Sequence, residues 1–134
     1  MISILFQVFL ISFLLNLLWE VIHSQLYTTC IKLPLKKFIT LIIKASICDG
    51  LWITLFFLIS VMIFKNVNIL ANPTQLFVFI LLVLVFSYID EKISLRMKRW
   101  KYSKKMVRVF GVGISPLLEL IITGMLTLFY VFLI

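Results

Sequence analysis

The residues of this chain that could do chemistry are five carboxylic acids and one histidine. They are Glu20, His23, Asp49, Asp90, Glu91 and Glu119. Carboxyl groups and imidazole serve as general acids and bases in enzymes, and carboxylate oxygens also bind hard divalent cations. We take these six residues as the candidate catalytic set. The cofactor stays unknown at this point, with a divalent cation as one candidate and no metal ligands assigned.

The spacing of polar residues predicts that several of these groups share helix faces. On the first apolar segment, polar residues recur at intervals of four, three and four: Asn16, Glu20, His23 and Tyr27. A second stripe comprises Ser87, Asp90, Glu91 and Ser94. Residues three or four apart are neighbours on a helix surface. A single histidine one turn from a glutamate is more often a hydrogen-bonded structural residue than a ligand, and the functional alternative is a proton carrier.

The composition is typical of a membrane protein and indicates that membrane helices hold the six candidate residues in place. Of the 134 residues, 63% are hydrophobic and 13% are charged, which is too few charges to cover a soluble globule. Four apolar blocks each approach the roughly 20 residues that cross a bilayer core. The predicted helices cover residues of about 2–27, 38–64, 75–95 and 116–134, with a basic loop at 96–114. We therefore predict one all-α integral membrane domain, an antiparallel bundle of four transmembrane helices.

The distribution of Lys and Arg predicts the orientation of this bundle. The first connection holds three basic residues and the third holds seven, whereas the second holds only Lys65 and the tail holds none. Basic connections stay on the cytoplasmic side. The chain is thus expected to be a multi-pass protein of the cell (inner) membrane with both termini non-cytoplasmic. All five acids then fall in the cytoplasmic half of the membrane.

The basic loop and the start of the fourth helix form a candidate site for a phosphate or a lipid headgroup. Its residues are Arg99, Lys101, Lys104, Lys105, Arg108, Gly111, Gly113 and Ser115. A helix N-terminus binds anions, and Ser115 followed by Pro116 has the types expected of an N-cap and a first helical residue. Interleaved basic and aromatic residues can bind single-stranded nucleic acid. Beside two membrane spans, however, such a segment is expected to lie on anionic lipid, so the predicted partners are membrane lipids and not nucleic acid.

A simpler interpretation is that the acids lie at the membrane interface, neutralised by Lys and Arg, and only hold helices together. It accounts for Glu119, which is predicted in the first turn of the fourth helix, where a carboxylate complements the helix dipole. It accounts poorly for Asp49, which is predicted deeper in the membrane, where a charge costs about 2.5–3.5 kcal/mol.

Two runs of residues carry a resemblance to a known kind of protein. The first is Trp100-Lys101-Tyr102-Ser103 followed by Gly111, Gly113 and Ser115-Pro116-Leu117-Leu118-Glu119. The second comprises Asn16, Trp19-Glu20 and Leu26-Tyr27. Together they are similar to small bacterial four-helix integral membrane proteins of unknown function. That resemblance implies the architecture over nearly the whole chain, and it implies no activity.

Three functions are compatible with the sequence. The first is a lipid- or isoprenoid-modifying enzyme or a lipid-binding protein with an intramembrane acidic site. The second is a non-catalytic partner or assembly subunit of another membrane protein, and the third is a proton or cation transporter, which would need a homo-oligomer. An enzyme predicts a pocket within one protomer, whereas a transporter predicts polar residues in both halves of the bundle, and the outer half of this sequence has few.

Overall fold

The computed structural model describes residues 1–134, and most of them are helical. The elements in chain order are α1 (Ile2–His23), a 3-10 turn (Ser24–Leu26), α2 (Thr28–Ile31), α3 (Leu35–Phe64), a 3-10 turn (Ile69–Ala71), α4 (Pro73–Arg96), β1 (Arg108–Val109), β2 (Val112–Gly113) and α5 (Ile114–Leu133). The four long helices correspond to the four predicted ones. The predicted helical class is therefore confirmed. The only departure from an all-α structure is a short hairpin whose two strands have two residues each.

Three of the long helices have the length and apolar character needed to cross a membrane. These segments are Ile2–Leu26, Leu35–Phe64 and Ile114–Leu133. The surfaces of the helices also expose many large apolar side chains, such as Phe6, Leu14 and Leu126. Surfaces of this kind are suited to lipid, so the chain has the character of a helical membrane protein.

Local capping explains where the middle helices begin and end. Pro34 has an extended backbone and precedes α3, because a proline permits a helix to start after it but not to pass through it. The side chain of Asn72 accepts hydrogen bonds from the backbone N–H groups of Thr74 and Gln75 at the start of α4. α3 stops at Lys65, which adopts a left-handed conformation with φ of 52°.

The start of α5 differs from the prediction. The residue in the N-cap position is Gly113, and Ser115 lies inside the helix without capping it through its side chain. The reason is the preceding hairpin, which carries the chain directly into Ile114. Glu119 is consequently the sixth residue of α5 and lies beyond its first turn. The predicted dipole-based account of Glu119 is therefore wrong, because that effect is confined to the first turn.

The largest hydrophobic cluster of the core lies at one end of the bundle, where it is accompanied by a few buried polar side chains such as Ser60, Gln75 and Thr127. Ten buried hydrophobic residues form a single cluster: Val8, Ile53, Phe56, Phe57, Val61, Ile69, Phe79, Val83, Leu120 and Leu128. They lie toward the start of α1, the end of α3, the start of α4 and along α5. This apolar core fills the half of the bundle that contains the 3-10 turn at Ile69–Ala71.

The opposite half ends at the two basic connections, which are joined by backbone hydrogen bonds. The N–H of Thr28 donates to the carbonyl of Lys101 at 3.0 Å, and the N–H of Ser103 donates to the carbonyl of Leu26 at 2.7 Å. Between them Tyr27 and Tyr102 form a single antiparallel bridge. The end of α1 and the loop after α4 therefore meet, as expected for antiparallel neighbours. We call this end of the bundle the basic end.

Packing between α1 and α3 depends on Gly50. A Cβ placed at Gly50 would lie 3.3 Å from backbone atoms of Phe13. A Cβ placed at Gly124 would also meet an atom at 3.3 Å, but that atom is the outer end of the Phe79 ring. The first contact can relax only by moving a helix, whereas the second can relax by a small movement of a side chain.

We predict that Gly50→Ala lowers the free energy of unfolding relative to Gly124→Ala by about 1–3 kcal/mol, the usual cost of overpacking. Both substitutions gain the same helix propensity, so the difference between them isolates the α1–α3 contact. Thermal unfolding followed by circular dichroism in detergent micelles measures it. Equal unfolding temperatures for the two variants would contradict the close approach at Gly50.

Candidate functional site

The six predicted catalytic residues line one cavity at the basic end of the bundle. The cavity has a volume of about 490 Å³. α1 contributes Glu20 and His23, α3 contributes Asp49, α4 contributes Asp90 and Glu91, and α5 contributes Glu119. Each long helix therefore supplies at least one acid. The structure brings together residues that lie up to 99 positions apart in the sequence.

None of the five acids has a Lys or Arg partner within 4.0 Å, and the only charged contacts of the cluster involve His23. Lys44 and Arg99 line the cavity without forming an ion pair. In particular, Lys44 does not pair with Asp49. This geometry does not support the interpretation that the acids are interfacial groups neutralised by basic residues.

His23 is held in one tautomer by its neighbours on α1. The indole N–H of Trp19 lies 2.9 Å from Nδ1 of His23, and Oε2 of Glu20 lies 3.1 Å from Nε2. An indole nitrogen can only donate, so Nδ1 must be the acceptor and Nε2 must carry the proton that is donated to Glu20. The imidazole is thus oriented by hydrogen bonds at both of its nitrogens.

Sequence reasoning did not single out Trp19 as a site residue. Trp19 lies four residues before His23, which places the two side chains on the same face of the helix. This spacing could have indicated their contact. The hydroxyl of Ser115 also reaches the ring, with Oγ 3.0 Å from Nδ1. This contact joins the start of α5 to the end of α1.

Glu119 is the least satisfied polar group of the site. The residue is 6% exposed, and its Oε2 lies 3.7 Å from Nδ1 of His23. Its other oxygen, Oε1, is buried without a hydrogen-bond partner. Buried polar atoms are rarely left unpaired, because each costs about 1–3 kcal/mol and more when charged. The residue lines the cavity, so a ligand there could approach its carboxyl group.

Glu91 is held by two aromatic residues of the basic loop. Its Oε1 accepts hydrogen bonds from the indole N–H of Trp100, at 3.1 Å, and from the hydroxyl of Tyr102. The Tyr102 hydroxyl in turn accepts from the N–H of Gly113 at 2.8 Å. Burial, and next the hydrogen bond to Glu91, raise the pKa of the Tyr102 phenol above its usual value, so the phenol stays protonated and donates.

An aromatic group closes the basic end above the cavity. The ring of Tyr27 lies 5.4 Å from that of His23, 6.1 Å from that of Trp100 and 5.5 Å from that of Tyr102, measured between centroids. The sequence predicted the aromatic residues of the loop only as interfacial groups. Their contacts with Glu91 and Tyr27 join separate segments, and no local pattern indicates them.

The cavity reaches the protein surface along α3. Exposed residues of α3, namely Leu41, Lys44 and Cys48, contribute to its lining. Trp52 of α3 and Phe86 of α4 line it as well, with ring centroids 4.2 Å apart. Asp49 and Asp90 are half-buried and accept no hydrogen bond from another side chain in the structure. Arg99 at the basic end is exposed and lines the cavity as well. The opening at the surface thus has an apolar wall and two carboxylates without hydrogen-bond partners.

The eight predicted headgroup ligands do not form one site. Arg99 lines the cavity, whereas Lys104 and Lys105 line a separate shallow pocket. The guanidinium of Arg108 lies over the Tyr102 ring at 5.1 Å. The remaining members serve the fold: the Lys101 carbonyl pairs with Thr28, Gly111 takes a positive φ in the hairpin turn, Gly113 donates to Tyr102, and Ser115 contacts His23.

We predict that Tyr102→Phe lowers the free energy of unfolding by about 1–3 kcal/mol, because Glu91 loses a donor and the Gly113 N–H loses its acceptor. Tyr88→Phe is the matched control, since its hydroxyl makes only a 3.4 Å contact with the Phe110 carbonyl. Thermal unfolding in detergent measures both variants. Similar losses in the two variants would show that the Tyr102 hydroxyl does not hold the loop.

A second prediction concerns Cys30, which lines the cavity and is a free thiol. Burial, and next the charge of Glu20, raise the pKa of this thiol, so less thiolate is present at a given pH. In a Cys48→Ser background, alkylation of Cys30 at pH 8 should be several-fold slower than alkylation of a fully exposed cysteine in a short peptide. The rate should keep rising at a pH above the ordinary cysteine value of about 8.5.

The Glu20→Gln variant in the same background tests the electrostatic part of this shift. Removing the negative charge should increase the alkylation rate of Cys30 at pH 8. The rate is followed with a maleimide by mass spectrometry. An unchanged or lower rate would place Glu20 too far from Cys30 to influence it.

Comparisons with known proteins give no match: no family model, no curated protein and no solved structure is similar to this chain. The function therefore has to be inferred from the cavity, its acids and the oriented histidine.

Proposed function

We propose that this protein is a multi-pass membrane protein that binds a lipid or an isoprenoid in its acidic cavity and acts on it by acid–base chemistry. The observation that carries this proposal is that five acids and one histidine, from all four long helices, line one cavity without a Lys or Arg partner. Unpaired buried acids are characteristic of functional sites, because a purely structural role would favour pairing.

The proposed topology has four transmembrane helices, with α4 as the fourth. α4 has 24 residues, which corresponds to about 36 Å at 1.5 Å per residue, longer than a bilayer core of about 30 Å. Several large apolar residues of α4 are exposed: Phe77, Leu81, Leu84, Val85 and Ile89. The excess of Lys and Arg at the basic end supports placing that end in the cytoplasm, with both termini on the other side and the cavity in the cytoplasmic leaflet of the inner membrane.

The shape of the cavity supports a lipid or an isoprenoid as the ligand. Its volume of about 490 Å³ lies within the range of roughly 300–1,000 Å³ that is usual for small-molecule sites. Leu41, Trp52 and Phe86 provide an apolar wall near the opening at the surface, which suits a hydrocarbon chain. Arg99 at the basic end suits a phosphate group of the same molecule.

The environments of the acids suggest separate roles for them. Asp49 and Asp90 are half-buried and unpaired near this opening, so we assign them to contact with the substrate and to proton exchange. Glu91 is fixed by Trp100 and Tyr102, so we assign it to holding the loop over the cavity. Glu20 orients His23.

The alternatives are less well supported. A transporter within one protomer would need a polar route through both halves, and the apolar core fills the half opposite the cavity. A partner or assembly subunit would use its acids for packing alone, which the unpaired acids around an open cavity do not favour. A homo-oligomer or a membrane-protein partner could still cover the exposed apolar surface.

The proposal predicts that the protein, gently extracted from its own membrane, keeps a specific lipid or isoprenoid species that native mass spectrometry detects. Asp49→Ala should reduce its occupancy at least five-fold, because the ligand then loses the hydrogen-bonding carboxyl group that Asp49 contributes to the cavity. Lys65→Gln is the control, since it changes one charge at the opposite end of α3. A ligand-free wild-type chain, or equal occupancy in both variants, would contradict the proposal, and co-purification with another polypeptide alone would favour the partner function.

A further inference from the structure

One part of the cavity has the composition of a metal site. Ligand atoms of Glu20, His23 and Glu119 all lie within 4.8 Å of one another. Glu20 and His23 form a Glu-x-x-His sequence, whose i, i+3 spacing places a carboxylate and an imidazole on one helix face. In helical bundles, carboxylate and imidazole side chains from facing helices are a recurrent way to build metal sites. Glu119 of α5 is the glutamate from a facing helix here.

A second and independent observation is the unpaired oxygen of Glu119. The residue is 6% exposed, its Oε1 is buried without a partner, and it lines the cavity. No Lys or Arg lies within 4.0 Å to balance its charge. Burying an unpaired carboxylate costs several kcal/mol, and a bound cation would remove that cost.

The orientation of His23 also suits a metal ion. Its Nε2–H is donated to Glu20, so Nδ1 carries the lone pair; Nδ1 accepts from Trp19 and also lies near Ser115 and Glu119. Histidines that bind metals commonly donate their other N–H to a carboxylate, which fixes the tautomer. Nδ1 lies 3.7 Å from Oε2 of Glu119. If both atoms were about 2.1 Å from one ion, with an angle of about 120° between the two bonds to the ion, they would be separated by nearly this distance.

We propose that Nδ1 of His23 and the carboxylate of Glu119 bind a divalent transition-metal ion, with Glu20 as the positioning residue that holds His23. A mixture of imidazole and carboxylate ligands suits ions such as Zn²⁺ and Mn²⁺. The ion would keep open positions facing the cavity, where it could hold an oxygen of the substrate. The inference deepens the proposed function, because the ion would lie in the same cavity.

Trp19 provides a sharp test, because its indole N–H occupies Nδ1 in the absence of metal. Binding of the ion must displace this hydrogen bond. Trp19→Phe removes this donor and leaves at Nδ1 only the Ser115 hydroxyl, which can rotate away, so it should increase metal affinity several-fold. A gain of affinity cannot result from damage to the fold.

The experiment is calorimetric titration of the chelator-treated protein in detergent with Zn²⁺ and, in parallel, with Mn²⁺. We expect one ion per chain. Glu119→Gln should weaken binding at least tenfold, and Glu20→Gln should weaken it about 10–100-fold through His23. Asp90→Asn is the matched control: it removes one charge from the same cavity but no ligand, and it should change affinity less than threefold.

Several outcomes would overturn the metal site. They are no uptake of either ion by the wild-type protein, uptake that Glu119→Gln leaves unchanged, and equal weakening by Asp90→Asn, which would indicate general attraction by the acids. If circular dichroism shows that Glu119→Gln does not fold, Trp19→Phe and Glu20→Gln decide the question.

The result also separates this inference from the proposed function. Metal binding without a retained lipid would leave the metal site standing and contradict the lipid function. A retained lipid without metal binding would do the reverse.

Discussion

The rest of the structure depends on the burial of acids in an apolar bundle without basic partners. Removing a carboxylate from water costs several kcal/mol unless donors, an opposite charge or solvent replace its hydration. The structure offsets this cost in a different way for each acid. Glu20 receives the Nε2–H of His23, Glu91 receives two aromatic donors, and Asp49 and Asp90 remain half-buried at the opening of the cavity. Among the five acids, only Glu119 is left with a buried oxygen that has no hydrogen-bond partner.

This constraint also explains why the basic connections are ordered. Trp100 and Tyr102 can reach Glu91 only if the loop after α4 folds back over the bundle. The backbone bonds to the end of α1 hold it there, and Gly113 links the same loop to the start of α5. The loop therefore forms part of the site.

Much of the architecture follows from the sequence, because long apolar blocks separated by polar turns leave few other arrangements. The clustering of the six candidate residues was predictable for the same reason: antiparallel helices bring groups at matching depth to one end. The pairing of His23 with Glu20 was predictable from their spacing, but the partners of Glu91 were not. Trp100 and Tyr102 meet Glu91 through loop geometry, and the hairpin turn holds Phe110 at a positive φ, which its residue type does not suggest.

The headgroup prediction illustrates a second limit. Residue types near a helix N-terminus indicate an anion site, but they do not reveal whether the fold already uses the donors. Here the N–H of Gly113 is taken by Tyr102, and the Ser115 hydroxyl contacts His23. Tertiary contacts decided which groups remained free for a ligand.

The separation of the apolar core from the acids has a consequence for how the molecule tolerates change. The ten-residue core contains no ionisable group, whereas each long helix contributes at least one acid to the cavity. Loss of volume in the core would reduce stability without altering the charges of the cavity. Loss of a cavity acid would alter those charges and leave the packing of the core intact. Stability and chemistry could therefore change independently in this protein.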